Sequence, residues 1–228
     1  MKFSKKILAG AVAASLAVSA FAPMANAEIS ASAGVASTYL WRGLDLGSGT
    51  PAVSGDLSYS AGGFYTTLWG SSGDTGAGTE WDLGAGYGGS AGMFSYDVSV
   101  WNYMYPNGGT MEDQYGDLTE VIVALGLGPV SFSWYENIAT EGGDESYRYF
   151  TLGYATGPFS FMIGSHTGDD STEFTHLDIS YAYNDNLSFT FSQVVDQDEV
   201  LLADGDGVKG KSIDDDLKFV VSYSLPIE

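Results

Sequence analysis

Side-chain character alternates with a period of two along almost the whole chain. Leu177, Ile179, Tyr181 and Tyr183 alternate with His176, Asp178, Ser180 and Ala182, and Leu187, Phe189 and Phe191 alternate with Ser188, Thr190 and Ser192. Trp81, Leu83, Ala85 and Tyr87 alternate with Glu80, Asp82, Gly84 and Gly86, and Phe219, Val221, Tyr223 and Leu225 with Lys218, Val220, Ser222 and Ser224. Successive side chains of a strand point to opposite faces, so each segment carries one apolar face and one polar or small face. This pattern predicts an all-β protein.

Twelve such segments can be marked, with cores at 29–41, 51–60, 63–71, 79–88, 93–105, 117–127, 129–138, 146–155, 159–166, 175–183, 187–195 and 217–227. Short connections fall at Ala61-Gly62, Gly89 to Gly92, Gly128-Pro129, Thr156 to Pro158 and Asn184 to Asn186. Gly supplies positive φ there, Pro a fixed φ, and Asn and Asp local hydrogen bonds. The other connections are long and rich in Gly and acid: Arg42 to Thr50, Ser72 to Gly78, Pro106 to Gly116, Ala139 to Glu145, Thr167 to Phe174 and Asp196 to Asp216. Strict alternation of short and long connections, with an even strand count, is the layout of an up-and-down barrel of the outer-membrane type.

The first residues read as a targeting segment. Lys2, Lys5 and Lys6 precede the apolar run Ile7 to Val18, and Ala25-Asn26-Ala27 is an A-x-A cleavage site. The run is too short to span a bilayer. Residues 1–27 are therefore expected to be a cleaved signal peptide, leaving a 201-residue barrel domain from Glu28 to Glu228. Three of the eight basic residues lie in the leader, so five remain against 29 acidic ones, a formal charge of −24. Such a chain repels phosphate backbones, which excludes nucleic acid as a partner. With no cysteine there is no disulfide framework and no thiolate chemistry. No stretch after Ala27 is long and apolar enough for a membrane helix, and only helices and closed barrels satisfy every backbone group in lipid.

Alternation alone does not say which face is outside. A soluble sandwich turns its apolar faces inward; a membrane barrel turns them to lipid and keeps a polar lumen. Three features favour the barrel: the connection pattern, a polar face rich in Gly and Ser, and Tyr and Trp at segment ends. These last are Tyr39, Trp41, Tyr87, Tyr105, Trp134, Tyr154, Tyr183 and Tyr223, read as interfacial belts. The expected fold is thus a transmembrane antiparallel up-and-down β-barrel of about twelve strands. Its expected location is the outer membrane of a Gram-negative bacterium.

Four segments resemble the TorF-type porins. Ser37-Thr38-Tyr39-Leu40-Trp41-Arg42-Gly43 resembles the opening motif of that family, and Pro51-Ala52-Val53-Ser54-Gly55 its second strand. Gly63-Phe64-Tyr65-Thr66-Thr67-Leu68-Trp69 is similar to its G-F-Y…W strand, and Glu80-Trp81-Asp82-Leu83-Gly84-Ala85-Gly86-Tyr87 to its acidic strand ending in G-Y. The resemblance covers about residues 30–90; beyond them it rests on hairpin pattern and length. It implies an outer-membrane barrel of porin type and no catalytic residues. The last residue departs from machinery-inserted barrels, which usually end in an aromatic: this chain ends Leu225-Pro226-Ile227-Glu228.

Strand parity places eight charges on the inner face: Arg42, Asp56, Glu80, Asp82, Asp97, Glu120, Asp178 and Lys218. Six are acidic and two basic, which favours cations in a narrow passage. Alternatively, Arg42 and Lys218 pair with some of the carboxylates and brace the lumen. Arg42 closes the first segment and could clamp carboxylates through its planar fork. His166 and His176 flank a loop and meet at the rim if they sit opposite each other, a weak metal candidate beside Asp169 and Asp170. Asp204 and Asp206 offer the oxygen donors of a loose calcium loop without EF-hand spacing. No other cofactor is indicated.

Ser165 adjoins His166 but faces the other way, and Ser180 lies roughly 13 Å along the strand from His176, so no dyad forms and no enzyme is expected. The function expected is passive diffusion of small hydrophilic solutes, weakly preferring cations. The alternative is a non-conducting barrel acting as adhesin, receptor or structural protein through its acidic outer loops, with the Asp196 to Asp216 loop long enough to fill the lumen. A secreted β-sandwich binder is the third reading. Expected partners are outer-membrane lipids, lipopolysaccharide and the barrel-assembly machinery.

Overall fold

In the computed structural model, residues 27–106, 116, 118–140, 147–168, 173–201, 209–211 and 213–227 are described. The leader, Asp169, Asp170, Asp204 and Asp206 lie outside the described residues. The strands are β1 (Glu28–Ala36), β2 (Leu40–Trp41), β3 (Leu44–Asp45), β4 (Ala52–Ala61), β5 (Phe64–Asp74), β6 (Gly78–Ala91), β7 (Phe94–Met104) and β8 (Leu118–Leu127). They continue as β9 (Val130–Thr140), β10 (Arg148–Thr156), β11 (Phe159–Thr167), β12 (Phe174–Ala182), β13 (Leu187–Gln197), β14 (Glu199–Leu201), β15 (Lys209–Lys211) and β16 (Lys218–Ile227).

Twelve of them close into an antiparallel barrel in the order β1-β16-β13-β12-β11-β10-β9-β8-β7-β6-β5-β4, and β4 returns to β1. Closure removes every free strand edge from the wall. The short connections sit at one end, where Gly62, Gly63, Gly92, Gly128 and Gly157 supply positive φ. The start of β1 and the end of β16 lie at that end too, with Glu28 opposite Ser60 and Ala31 opposite Ile227.

The inner and outer faces follow from register. Ile179 sits between Phe161 and Phe191, all three on the outer wall, while the adjacent Asp178 points inward beside Ser192. Ile179 is 47% exposed and Asp178 is 8% exposed. The same inversion runs round the barrel: Leu57, Leu83, Val98, Leu125, Leu152 and Phe219 are exposed, and Glu80, Ser99, Glu120, Ser133 and Ser192 are buried. An apolar outside around a polar inside is the reverse of a water-soluble core. Inside, Trp101 lies over Gly84, where any Cβ would collide with the indole.

The first strand ends earlier than its alternation suggests. It stops at Ala36, and residues expected to extend it to position 41 instead leave the wall. The segment Ser37 to Thr50 turns into the lumen as a small hairpin of β2 and β3. The belt reading consequently fails at three positions. Tyr39 is buried, and Tyr39 and Tyr105 both hydrogen-bond Glu80, while Trp41 stacks on Arg42. Tyr87, Trp134, Tyr154, Tyr183 and Tyr223 do lie on the exposed surface.

Candidate functional site

The site begins with the inner hairpin. Leu40 pairs with Asp45 and Trp41 with Leu44, so Arg42 and Gly43 form a two-residue turn. Their φ values are 46° and 88°. Positive φ at both central positions is the signature of a type I′ turn, whose usual first residue is Asn, Asp or Gly. An arginine there carries backbone strain of about 1–3 kcal/mol, sustained by what its side chain holds. Gly43 packs its Cα side against the His176 ring, leaving no room for a Cβ. Leu46 N–H donates to the Tyr39 carbonyl at 2.8 Å, and Thr75 N–H donates to the Leu46 carbonyl at 3.0 Å, tying the hairpin to the loop after β5.

From this turn Arg42 spans the barrel. In the ring of strands β9 is six places from β1 by either route, diametrically opposite. The Arg42 guanidinium reaches β8 next to it, donating from Nη1 to Glu120 Oε1 at 2.9 Å and from Nη2 to Oε2 at 2.6 Å. Nη1 also donates to the Tyr147 hydroxyl at 3.0 Å, and the Tyr103 hydroxyl donates to Glu120 Oε2 at 2.8 Å. The guanidinium carbon lies 4.4 Å from the Tyr135 ring centroid and 4.9 Å from that of Tyr149. Arg42 is 4% exposed and Glu120 is 3% exposed. A β-bulge lies opposite Glu120, where Ile138 of β9 is the extra residue facing the Thr119–Glu120 step of β8.

The histidines complete the knot. A carbonyl can only accept, so His166 Nε2–H donates to the Arg42 carbonyl at 2.8 Å, and Nδ1 accepts from Tyr147 at 2.9 Å. Tyr147 thus receives from Arg42 and gives to His166. His176 Nδ1–H donates to Asp178 at 3.0 Å, and Nε2 accepts from the Tyr149 hydroxyl at 2.8 Å. All four ring nitrogens are engaged by protein groups. His166 does not sit opposite His176: it pairs with Phe174, and His176 pairs with Gly164. The two rings still approach to 6.1 Å between centroids because both point inward. Among the described residues no group of three or more His, Asp or Glu could hold a metal ion.

The remaining charges divide by position. Glu80 accepts from Tyr39 at 2.5 Å and from Tyr105 at 2.8 Å. Asp82 is buried below it with Oδ1 unpartnered, and Asp97 accepts from Tyr65 at 3.0 Å. Asp56 is half-buried and accepts from Ser32. Lys218 is drawn to the mouth, donating to the carbonyls of Asp214 and Asp216 at 2.9 and 3.2 Å.

The residues that parity did not single out are the tyrosines. Tyr103, Tyr135 and Tyr149 share the inward parity of Asp97, Ser133 and Thr151, and an aromatic on the polar face was the signal available.

A family model described as a bacterial protein of unknown function (Gcw_chp) matches residues 20–198. The chain belongs to the Gcw_chp family. A search of the curated proteins finds no match. The part of this Gcw_chp barrel that the family covers includes the inner hairpin and the wall from β1 into β13. Arg42, Glu120, Tyr135, Tyr149, His166 and His176 all fall within it; Lys218 does not. A salt bridge across the lumen of a Gcw_chp barrel does one thing chemically: it fixes a short, strained turn to the opposite wall by two charge-assisted bonds.

Proposed function

We propose that this protein is an outer-membrane channel of a Gram-negative bacterium, held closed by the Arg42 hairpin and conducting when that hairpin yields. One observation carries the reading: the wall is apolar outside and charged inside, and the hairpin that enters its interior is clasped by one salt bridge. An apolar outer band suits acyl chains. The inward carboxylates Asp56, Glu80, Asp82, Asp97, Glu120 and Asp178 favour small hydrophilic solutes of positive charge. The TorF-type resemblance of residues 30–90 supports the same channel class. Export through a cleaved leader, insertion by the barrel-assembly machinery and contact with lipopolysaccharide belong to this proposal, as does loose calcium binding at the acidic outer loops.

No catalysis is proposed. The Tyr149–His176–Asp178 chain has the order of a catalytic relay, but His176 is 0% exposed and both its nitrogens are occupied.

Planar-bilayer recording tests the reading. Wild-type protein should be near silent at low voltage, and Arg42→Gly should open to steps that pass potassium in preference to chloride. Silence of both proteins, with the barrel verified as folded, would reject the channel. It would favour a non-conducting barrel working through its outer loops, a reading that the buried, crosswise Arg42 also suits.

A further inference from the structure

Arg42 occupies the kind of cavity in which a ligand is bound. Its guanidinium carbon faces the rings of Tyr135 at 4.4 Å, Trp41 at 4.6 Å, Tyr149 at 4.9 Å and Tyr147 at 5.9 Å. Glu120 closes the cavity with two hydrogen bonds to the guanidinium edge, and Tyr103 orients that carboxylate from its other side. Aromatic faces above and a carboxylate at the edge are what recognise an organic cation: the rings supply quadrupole attraction and the carboxylate supplies charge and direction. Hard inorganic cations want several oxygen ligands instead, which tyrosine faces do not provide.

The provenance of the groups matters. Glu120, Tyr103, Tyr135 and Tyr149 belong to β8, β7, β9 and β10, and Tyr147 immediately precedes β10. Only Trp41 and Arg42 come from the hairpin. Withdrawing the hairpin therefore leaves the cage standing in the wall. It also strips the Glu120 carboxylate of its cation while Tyr103 still holds it in the wall, which costs the charge-assisted pairing. Exchange of Arg42 for another cation avoids that cost, whereas opening onto an empty cage does not. Strain at the Arg42 backbone, φ 46°, further favours its release.

We propose that the Tyr135–Tyr147–Tyr149–Glu120 cage is a binding site for organic monocations bearing a guanidinium or alkylammonium group, and that Arg42 is its tethered occupant. Cationic solutes and Arg42 then compete for one carboxylate. The inference rests on the closed-channel reading for its role in passage, but binding itself is measured separately.

The test uses the full barrel refolded in detergent micelles with ethylguanidinium as probe and ethylurea, its neutral counterpart, as control. Arg42→Gly vacates the cage and keeps a Gly-Gly turn that suits the hairpin. Ethylguanidinium at ten times its dissociation constant should raise the folded-to-unfolded ratio of this variant about tenfold in urea titration. Ethylurea should leave it unchanged, and R42G/E120Q should lose the response. If R42G does not refold alone, the yield of refolding with ethylguanidinium against ethylurea reads the same binding.

An equal response to both probes, no response, or a response undiminished in R42G/E120Q would overturn the proposal. Conductance of the same variants keeps the two readings apart. A cage that binds in a barrel that never conducts removes the channel and keeps the site; a conducting R42G that ethylguanidinium neither stabilises nor blocks keeps the channel and removes the site.

Discussion

The two halves of the barrel interior are built from the same alternating strands and filled in different ways. Toward the short turns the inward positions are mostly small hydroxyls and glycines, with Tyr65, Asp97 and Asp56 as exceptions, and the hydroxyls are joined to their neighbours: Ser58 with Thr67 at 2.8 Å, Ser180 with Thr190 at 2.9 Å, Ser32 with Asp56. Each bond links adjacent strands that the backbone ladder already joins. Toward the long loops the inward positions are tyrosine, histidine and charge, and the bonds of the Arg42 hairpin among them cross the lumen. Arg42 and Glu120 are 78 residues apart, and the Arg42 carbonyl and His166 are 124 apart. A neutral hydroxyl pair contributes about 1 kcal/mol net and does not alter the shape of the passage. A buried ion pair contributes little compared with an apolar substitute, yet removing one partner is severe. The first half is therefore a tolerant spacer and the second an all-or-none clasp.

The largest expected effect strikes the clasp. Arg42→Ala should lower unfolding free energy by about 3–5 kcal/mol, because Glu120 is left buried and unpaired. Urea unfolding in micelles measures it, and the Arg42→Ala/Glu120→Gln double variant should recover part of the loss. A double variant as unstable as the single one would mean that the ion pair is not the element under strain.

Next comes the wall outside the clasp. Ile179→Arg, one residue from Asp178 but on the opposite face, should cost about 2–4 kcal/mol if the position lies near the bilayer midplane. The measurement is refolding stability in lipid vesicles. A neutral result would remove the membrane assignment and with it the distinction between an inner clasp and an outer belt.

A smaller loss is expected for Tyr149→Phe, which keeps the ring over Arg42 but deprives His176 Nε2 of its donor. The cost should be about 1–3 kcal/mol, set by one unsatisfied buried polar atom, with conductance close to wild type. A large rise in conductance instead would place the hydroxyl, not the ring, at the centre of closure.

The smallest effect belongs to the spacer half. Ser180→Ala removes a single hydroxyl pair and should cost about 0.5–1.5 kcal/mol with no change in conductance in bilayer recordings. An effect as large as that of Arg42→Ala would erase the contrast between the halves.

Much of the wall was legible in the chain. The twelve barrel strands overlap the twelve alternating segments, and the short turns fall where Gly, Pro, Asn and Asp cluster. The eight charges assigned by parity include seven that the structure buries, with Asp56 half-buried. Less legible was Arg42. Parity counted it as the inward end of a strand, but it stands at the tip of a turn beyond Ala36, and its burial comes from crossing the lumen. The segment found in the lumen is Ser37 to Thr50; the last long loop was the candidate from length, and its residues 202–208 lie outside the described residues. Tyr39 and Trp41 looked like belt residues because a terminal aromatic on a strand and one on an inserted hairpin have the same local pattern.

The local chain by itself determined the ribbon: period two, the turn chemistry and a polar face opposite an apolar one. Those properties are set by neighbouring residues, since a strand's side chains alternate whatever lies across from it. Only the closed tertiary structure decided that Glu120, Tyr135 and Tyr149 surround Arg42. That meeting depends on the order of strands round the ring and on the diameter they enclose, and both are sums over the whole wall that no short stretch of sequence contains.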